Sequence, residues 1–272
     1  MRLSPPTYAV TAFVTLVIAT VAAFFVTQHL KVTTPFIQGK PAPVPNTINP
    51  VYGGVCPRRN GKGMLVPTSY KRMKISFYLQ NSSDNVDVWI VDRNGERIRQ
   101  IGSNVFMRAR PPKRAHFSWN GRLANGSVAP AGVYYIRVYL VHQGRSLIIS
   151  NNTAALPVTV QTSRPQVQVT SVTPATITTG GATPVTIRYT GTGALRPRIV
   201  IYRLTGDTER PVKNYAATTR AGSSTWDGTL RGARPAPPGT YLIAVRLTDK
   251  ACTTGTSPST PPAAPHALVT VS

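Results

Sequence analysis

Acidic residues are scarce in this chain: 8 Asp and Glu stand against 31 Lys and Arg among 272 residues, a formal net charge of +23. Histidine and cysteine are scarcer still, at four and two. His29, His116, His142 and His266 are scattered, and none has a second His or a Cys at metal-ligand spacing. The eight carboxylates, from Asp84 to Asp249, fall mostly at predicted turns and read as solvated loop charges rather than as a general acid and base. A Gly-rich phosphate loop and a nucleophile elbow are both absent. The expectation is a protein that is not an enzyme, with no catalytic residues, metal site, cofactor or small-molecule substrate.

Charge is missing altogether from Ala9 to Val26. These 18 residues also lack Gly and Pro, and as a helix they would extend about 27 Å, close to the thickness of a bilayer core. A cleaved signal peptide is the competing reading. Its apolar region is usually about 7–15 residues long, and the small-residue site here, Val21-Ala22-Ala23, is weak. Residues 1–30 are therefore expected to be an uncleaved anchor. The basic residues flanking it do not set its orientation; a short head before exported β domains places residues 31–272 outside the cytoplasm. Pro35, Pro41, Pro43, Pro45, Pro50 and Pro57 make residues 31–57 read as an extended Pro-rich spacer.

Beyond the spacer a pattern occurs twice in one register. Trp119-Asn120-Gly121-x-Leu123, followed by Pro130-Ala131-Gly132-x-Tyr134-x-Ile136-x-Val138-x-Leu140, matches Trp226-Asp227-Gly228-x-Leu230, followed by Pro237-Pro238-Gly239-x-Tyr241-x-Ile243-x-Val245-x-Leu247. An aromatic, turn residues and a period-two apolar run do not align by chance, so two copies of one small β domain are expected, at 58–163 and 164–272. Alternation continues at Met73, Ile75, Phe77 and Leu79, at Val86, Val88 and Ile90, and in the second copy at Val185, Ile187, Tyr189, Ile199 and Ile201. In each motif the indole is expected to sit in the core, Asn120 or Asp227 to form an Asx turn, and Gly121 or Gly228 to take a positive φ. Ala131-Gly132 and Pro238-Gly239 are expected at the centre of type II turns.

These residues resemble the immunoglobulin-like domain of the bacterial flagellar hook-capping protein family, a module also found in exported and surface proteins. Both copies carry the motif, so the resemblance covers about residues 60–272. It implies an all-β architecture of two tandem β-sandwiches, extracytoplasmic use and roles in adhesion, spacing or display, and it brings no catalytic residues. The chain departs from the family in two places. Its N-terminus is an anchor rather than an assembly region, and Arg58-Arg59-Asn60-Gly61-Lys62-Gly63 stands where many surface relatives have an acidic turn.

Cys56 and Cys252 are candidates for a disulfide in an oxidising exterior, with two free thiols or a bridge to another molecule as the alternatives. The positive charge is concentrated in the first copy: residues 57–165 hold 17 basic against 4 acidic residues, and residues 166–272 hold 11 against 4. Arg108, Arg110, Lys113 and Arg114, with Arg58, Arg59, Lys62, Lys71, Arg72 and Lys74 on neighbouring segments, form the candidate polyanion-binding surface. The alternative is an Arg-rich solvated surface set by composition alone. The sequence thus reads as a membrane-anchored structural or adhesion module. A cell-wall polymer or DNA is the competing partner, and an envelope enzyme or secretion machine that it serves as accessory is the third.

Overall fold

The computed structural model describes residues 5–33, 36–39, 41–80, 82–109, 115–151, 154–181, 183–191, 193, 195, 197–217, 222–258 and 265–272. It opens with one helix, α1 (Pro5–Thr33), in which Tyr8–Thr27 has a mean hydropathy of 2.5 and no buried residue. By length and composition this helix is able to cross a membrane. All other described elements are strands apart from one 3-10 turn, Pro265–Ala267.

Two sandwiches follow. In the first, β1 (Ile37–Gln38), β5 (Met73–Leu79) and β8 (Ala115–Trp119) make one sheet. The facing sheet has the order β2 (Thr47–Ile48), β11 (Val158–Val160), β9 (Gly132–Leu140), β6 (Asp84–Val91), β7 (Arg97–Met107), and β10 (Arg145–Ile148) also pairs with β9. The second repeats that order: β12 (Val167–Thr173), β14 (Val185–Gly191) and β17 (Ser223–Trp226) face β13 (Thr176–Ile177), β20 (Leu268–Val271), β18 (Gly239–Thr248), β15 (Arg198–Thr205), β16 (Thr208–Ala216), with β19 (Thr254–Ser257) on β18. Period-two patterning explains the layers. Met73, Ile75, Phe77 and Leu79 of β5 are buried while Lys74 is exposed, and Tyr134, Ile136, Val138 and Leu140 of β9 meet them from the other sheet.

The expected spacer at 31–57 is corrected here. Phe36 and Ile48 are buried in the first core, Ile37 pairs with Leu79, Thr47 runs parallel to Thr159, and Pro43 and Pro45 are buried. Proline is tolerated because this segment is an edge that changes sheets, where few backbone N–H groups have a ladder partner. The first sandwich therefore begins at Phe36, not at residue 58.

The repeat explains why this start was hidden. Thr47-Ile48 and Thr176-Ile177 are 129 residues apart, yet Met73 and Val185, which face Trp119 and Trp226, are 112 apart. The 17-residue difference is taken up by an insert in the first copy, the antiparallel ribbon β3 (Val55–Arg59) and β4 (Leu65–Ser69), which among the described residues pairs with no other strand. Arg58–Gly63 form the arm and tip of this ribbon rather than an opening turn of the domain.

A fragment starting at residue 58 should fail to hold the first sandwich, because it lacks Phe36, Ile48 and the β2 edge, whereas one starting at residue 36 should fold. Amide exchange of β11 and β9 checks this, and equal protection in the two fragments would return the boundary to 58.

Candidate functional site

The repeated motif builds the same corner in each sandwich. Trp119 and Trp226 are fully buried, and each indole Nε1 donates to a carbonyl three residues on, Arg122 O at 2.8 Å and Thr229 O at 2.7 Å. The Tyr134 hydroxyl donates to Pro130 O at 2.9 Å and Tyr241 to Pro237 O at 2.7 Å, with ring centroids 5.2 and 5.5 Å from the tryptophans. Burial pushes both tyrosine hydroxyls above their ordinary pKa. Gly121 and Gly228 share a φ of +69°, the conformation expected of them. The expected type II turns are not formed. Gly132 takes no left-handed φ and Gly239 lies at +146°, and both open a strand, so the chain bends at Ala131 and Pro238 and goes straight into β9 and β18.

Asp227 forms the expected Asx turn, accepting from Thr229 N at 3.0 Å, and it also accepts from Lys213 Nζ at 2.7 Å. Burial raises its pKa, but the hydrogen bonds from Lys213 and Thr229 and the Lys213 charge more than offset this and hold it at about 2. Asn120, its counterpart, is exposed at the same turn. Asp84, buried at the start of β6, is a clasp that the motif did not announce. It accepts from the backbone N–H of Asn85 and His142 at 2.7 and 3.1 Å and lies 2.7 Å from His142 Nδ1. Burial pushes its carboxyl up, and the His142 ring and these N–H groups outweigh burial and bring it below the ordinary range.

The cysteines meet. Cys56 of β3 is disulfide-bonded to Cys252, in the turn between β18 and β19, with Cα atoms 6.0 Å apart. Around the bond an open cavity of about 270 Å³ has walls from both sandwiches, including Asn46, Arg58 and Tyr70 on one side and Leu195, Asp249 and Lys250 on the other. Asn49 Nδ2 donates to Ser163 O at 2.9 Å, and the Arg164 guanidinium lies 4.8 Å from the Tyr52 ring centre. All of these contacts come from residues 46–70, the insert and its flanks.

The structure divides the candidate basic surface. Arg110, Lys113 and Arg114 lie outside the described residues. Arg108 is exposed just beyond Met107, which pairs with Asp84. Arg58, Arg59 and Lys62 are exposed on the ribbon and Lys71 and Arg72 beside it, next to Met73, which pairs with Trp119 at the opposite end of the same sandwich. The length of β5 separates Arg108 from these cations, so Arg108 does not share a face with them. Arg72 also lines a polar basin of about 330 Å³ with Arg99, Gln100, Ser118 and Asn120. Among the described residues no three His, Cys, Asp or Glu side chains come together as a metal site requires.

Residues 66–144 match the family model described as FlgD Ig-like domain, from β4 to the turn after β9. No curated protein matches the chain. Among solved structures it is similar to dimeric latent PorU from Porphyromonas gingivalis, at 12% identity and a TM-score of 0.29 over 75% of this chain and 18% of that one. A marsupial T cell receptor is 11% identical at a TM-score of 0.35, over 74% of this chain and 68% of that one. The N-terminal four Ig domains of Dscam1 isoform 1.9 are 11% identical at 0.22, over 83% and 42%. The chain thus spans less than a fifth of PorU. At such scores the assignment rests on the strand order and the family match.

The Asp227 pKa gives a pH dependence of known sign. A folded value of about 2 lies below the ordinary carboxylate value of about 3.9, so the Lys213 pairing stabilises the second sandwich above about pH 4 and is lost as pH falls toward 2. The Asp227 side chain is 62% exposed, so the effect should be small and weaken with salt. Acid titration of thermal melts should show Asp227→Asn with a shallower decline than the parent over that window; superimposable titrations would refute the pairing.

Proposed function

We propose that this chain, with an FlgD-type Ig-like domain in its first sandwich and the same strand order in its second, is a single-pass envelope protein whose helix anchors it in the membrane. Its two sandwiches stand outside the cytoplasm as a non-catalytic structural or adhesion module. One observation carries the reading: behind an apolar helix whose Tyr8–Thr27 span is not buried against them, two sandwiches are fastened into a tandem by the Cys56–Cys252 bond, with Asn49 holding the connecting segment at Ser163. Phe13, Leu16, Ile18 and Phe25 of the helix are each more than 60% exposed, and such a surface needs an apolar medium. A disulfide fits an oxidising compartment.

The full chain should stay with the membrane pellet after an alkaline wash, with Met1 to Thr33 intact. Protease added to wall-stripped cells should digest the sandwiches. N-terminal sequencing that starts after Ala23 would replace the anchor with a cleaved signal, and full protection from protease would reverse the topology.

The second reading is polyanion binding by the ribbon. Arg58, Arg59 and Lys62 project from a hairpin that contributes no residue to the first core, and its tip is ordered by Asn60 Oδ1, which accepts from Lys62 N and Met64 N at 2.9 and 3.0 Å. Changing the three cations to Ala should weaken binding to DNA or a phosphate-rich wall polymer and lower the salt slope by roughly 2–3. Unchanged, weak affinities for parent and variant would assign the charge to composition.

A further inference from the structure

The apolar helix and the second sandwich leave the first sandwich from opposite ends, and strand register identifies the residues at each. Ile37 pairs with Leu79, so the chain enters at the C-terminal end of β5. Asp84 pairs with Met107, Ala109 bridges to Leu79, and Leu140 pairs with both Val86 and Arg145. The loop before β6, the end of β7 and the β9–β10 turn therefore share the helix-side end. At the far end are Trp119, the ribbon and Asn49, which bonds to Ser163 before the second sandwich.

The tether between helix and sandwich is short. Thr34 and Pro35 alone separate the last helical residue, Thr33, from Phe36, which is buried in the first core. Three Cα–Cα steps cover about 11 Å at most, and the six helical residues after Thr27 add about 9 Å. The helix-side end is therefore held within about 20 Å of the apolar span.

The chemistry of that end suits a lipid headgroup layer. Arg145 stacks its guanidinium 5.0 Å from the centre of the Phe36 ring, at the tether itself. Met107 is buried, and the pleat turns Phe106 and Arg108 outward on either side of it, with Phe106 61% exposed. Of the carboxylates near this end, Asp84 is 1% exposed and taken by the N–H groups of Asn85 and His142 and by the His142 ring, and the half-buried Asp87 accepts from Asn104 N at 2.8 Å.

We propose that this end of the first sandwich, presented by Phe106 and Arg108, docks on the anionic phospholipid surface of the bilayer that the chain's own helix crosses. The inference rests on the membrane-anchor reading. The Arg108 guanidinium binds a phosphodiester in bidentate fashion and the Phe106 ring enters the boundary below it. A free polyanion in solution has no reason to prefer the end where the helix joins.

Phe106→Trp in the full chain, reconstituted into vesicles carrying brominated phospholipids, tests this, with parent fluorescence subtracted to remove Trp89, Trp119 and Trp226. Vesicles containing phosphatidylglycerol should quench the new indole; high salt or Arg108→Glu should release it, and pure phosphatidylcholine should leave it bright. Flotation through a density gradient reports the anchor in the same samples. A chain that floats with both vesicles but whose indole is never quenched would overturn the docking and leave the anchor standing. Equal quenching in neutral vesicles would overturn the electrostatic contact. Failure to float would remove the anchor, and the docking with it.

Discussion

Each sandwich depends on how a buried indole is satisfied. A Trp N–H left without a partner in a dry core costs on the order of 1–3 kcal/mol, and both tryptophans find theirs in a carbonyl three residues on. The chain must curl immediately after the strand to bring that carbonyl back, which is what the positive φ of Gly121 and Gly228 permits. Space enforces the same choice in the first copy, where a Cβ on Gly121 would strike the Pro50 ring. The turn thus ties Trp119 to Ile48 of β2 and to the segment just after it. Tyr134 and Tyr241 close the corner from the facing sheet, each by a hydroxyl bond to a proline carbonyl before its own strand.

With the corner fixed in both copies, the difference between them is the insert. The second sandwich goes directly from β13 to β14, whereas the first places residues 49–72 between β2 and β5. That segment carries every fastening between the domains described above. Gly54 lies against the Cys252 carbonyl, a position with no room for a Cβ, and Cys252 itself takes a φ of +54°. A bond between residues 196 apart removes loop entropy from the unfolded chain worth about 5 kcal/mol in the chain-entropy account. The insert is therefore a clamp at its base and an exposed ribbon at its tip, and the clamp gives a two-stranded arm the support that it would lack alone.

The sequence made the repeated core visible because Trp, Gly and Tyr sit at fixed spacing and period-two strands follow them. The first strands were not visible. Ile37–Gln38 and Thr47–Ile48 are two residues each, too short to show alternation, and the prolines around them suggested a spacer. The insert also put them out of register with Thr176–Ile177, so the repeat could not reveal them. Alignment on Thr-Ile rather than on Trp would have done so. Basic residues counted by segment looked like one surface, but strands reverse direction, and Arg108 and Arg72 lie at opposite ends of the sandwich although only 36 residues separate them. The Asp84 clasp left no signal because its partners are backbone N–H groups and one histidine 58 residues on.

The same reversal gives the molecule a direction. Phe36 is a core residue three positions beyond the last residue of the helix, so any tilt of the first sandwich is limited by its tether. At the far end the second sandwich is held by a covalent bond, and the short segment that leads into it is held by Asn49. Orientation set at one end is transmitted to the other because the rigid core of the first sandwich lies between. A module that only needed reach would be served by a longer disordered stalk, which costs little in closure entropy. A short tether, a clamped junction and a ribbon at the clamp instead suit the proposed module, in which one surface is held at a fixed height and direction from the helix.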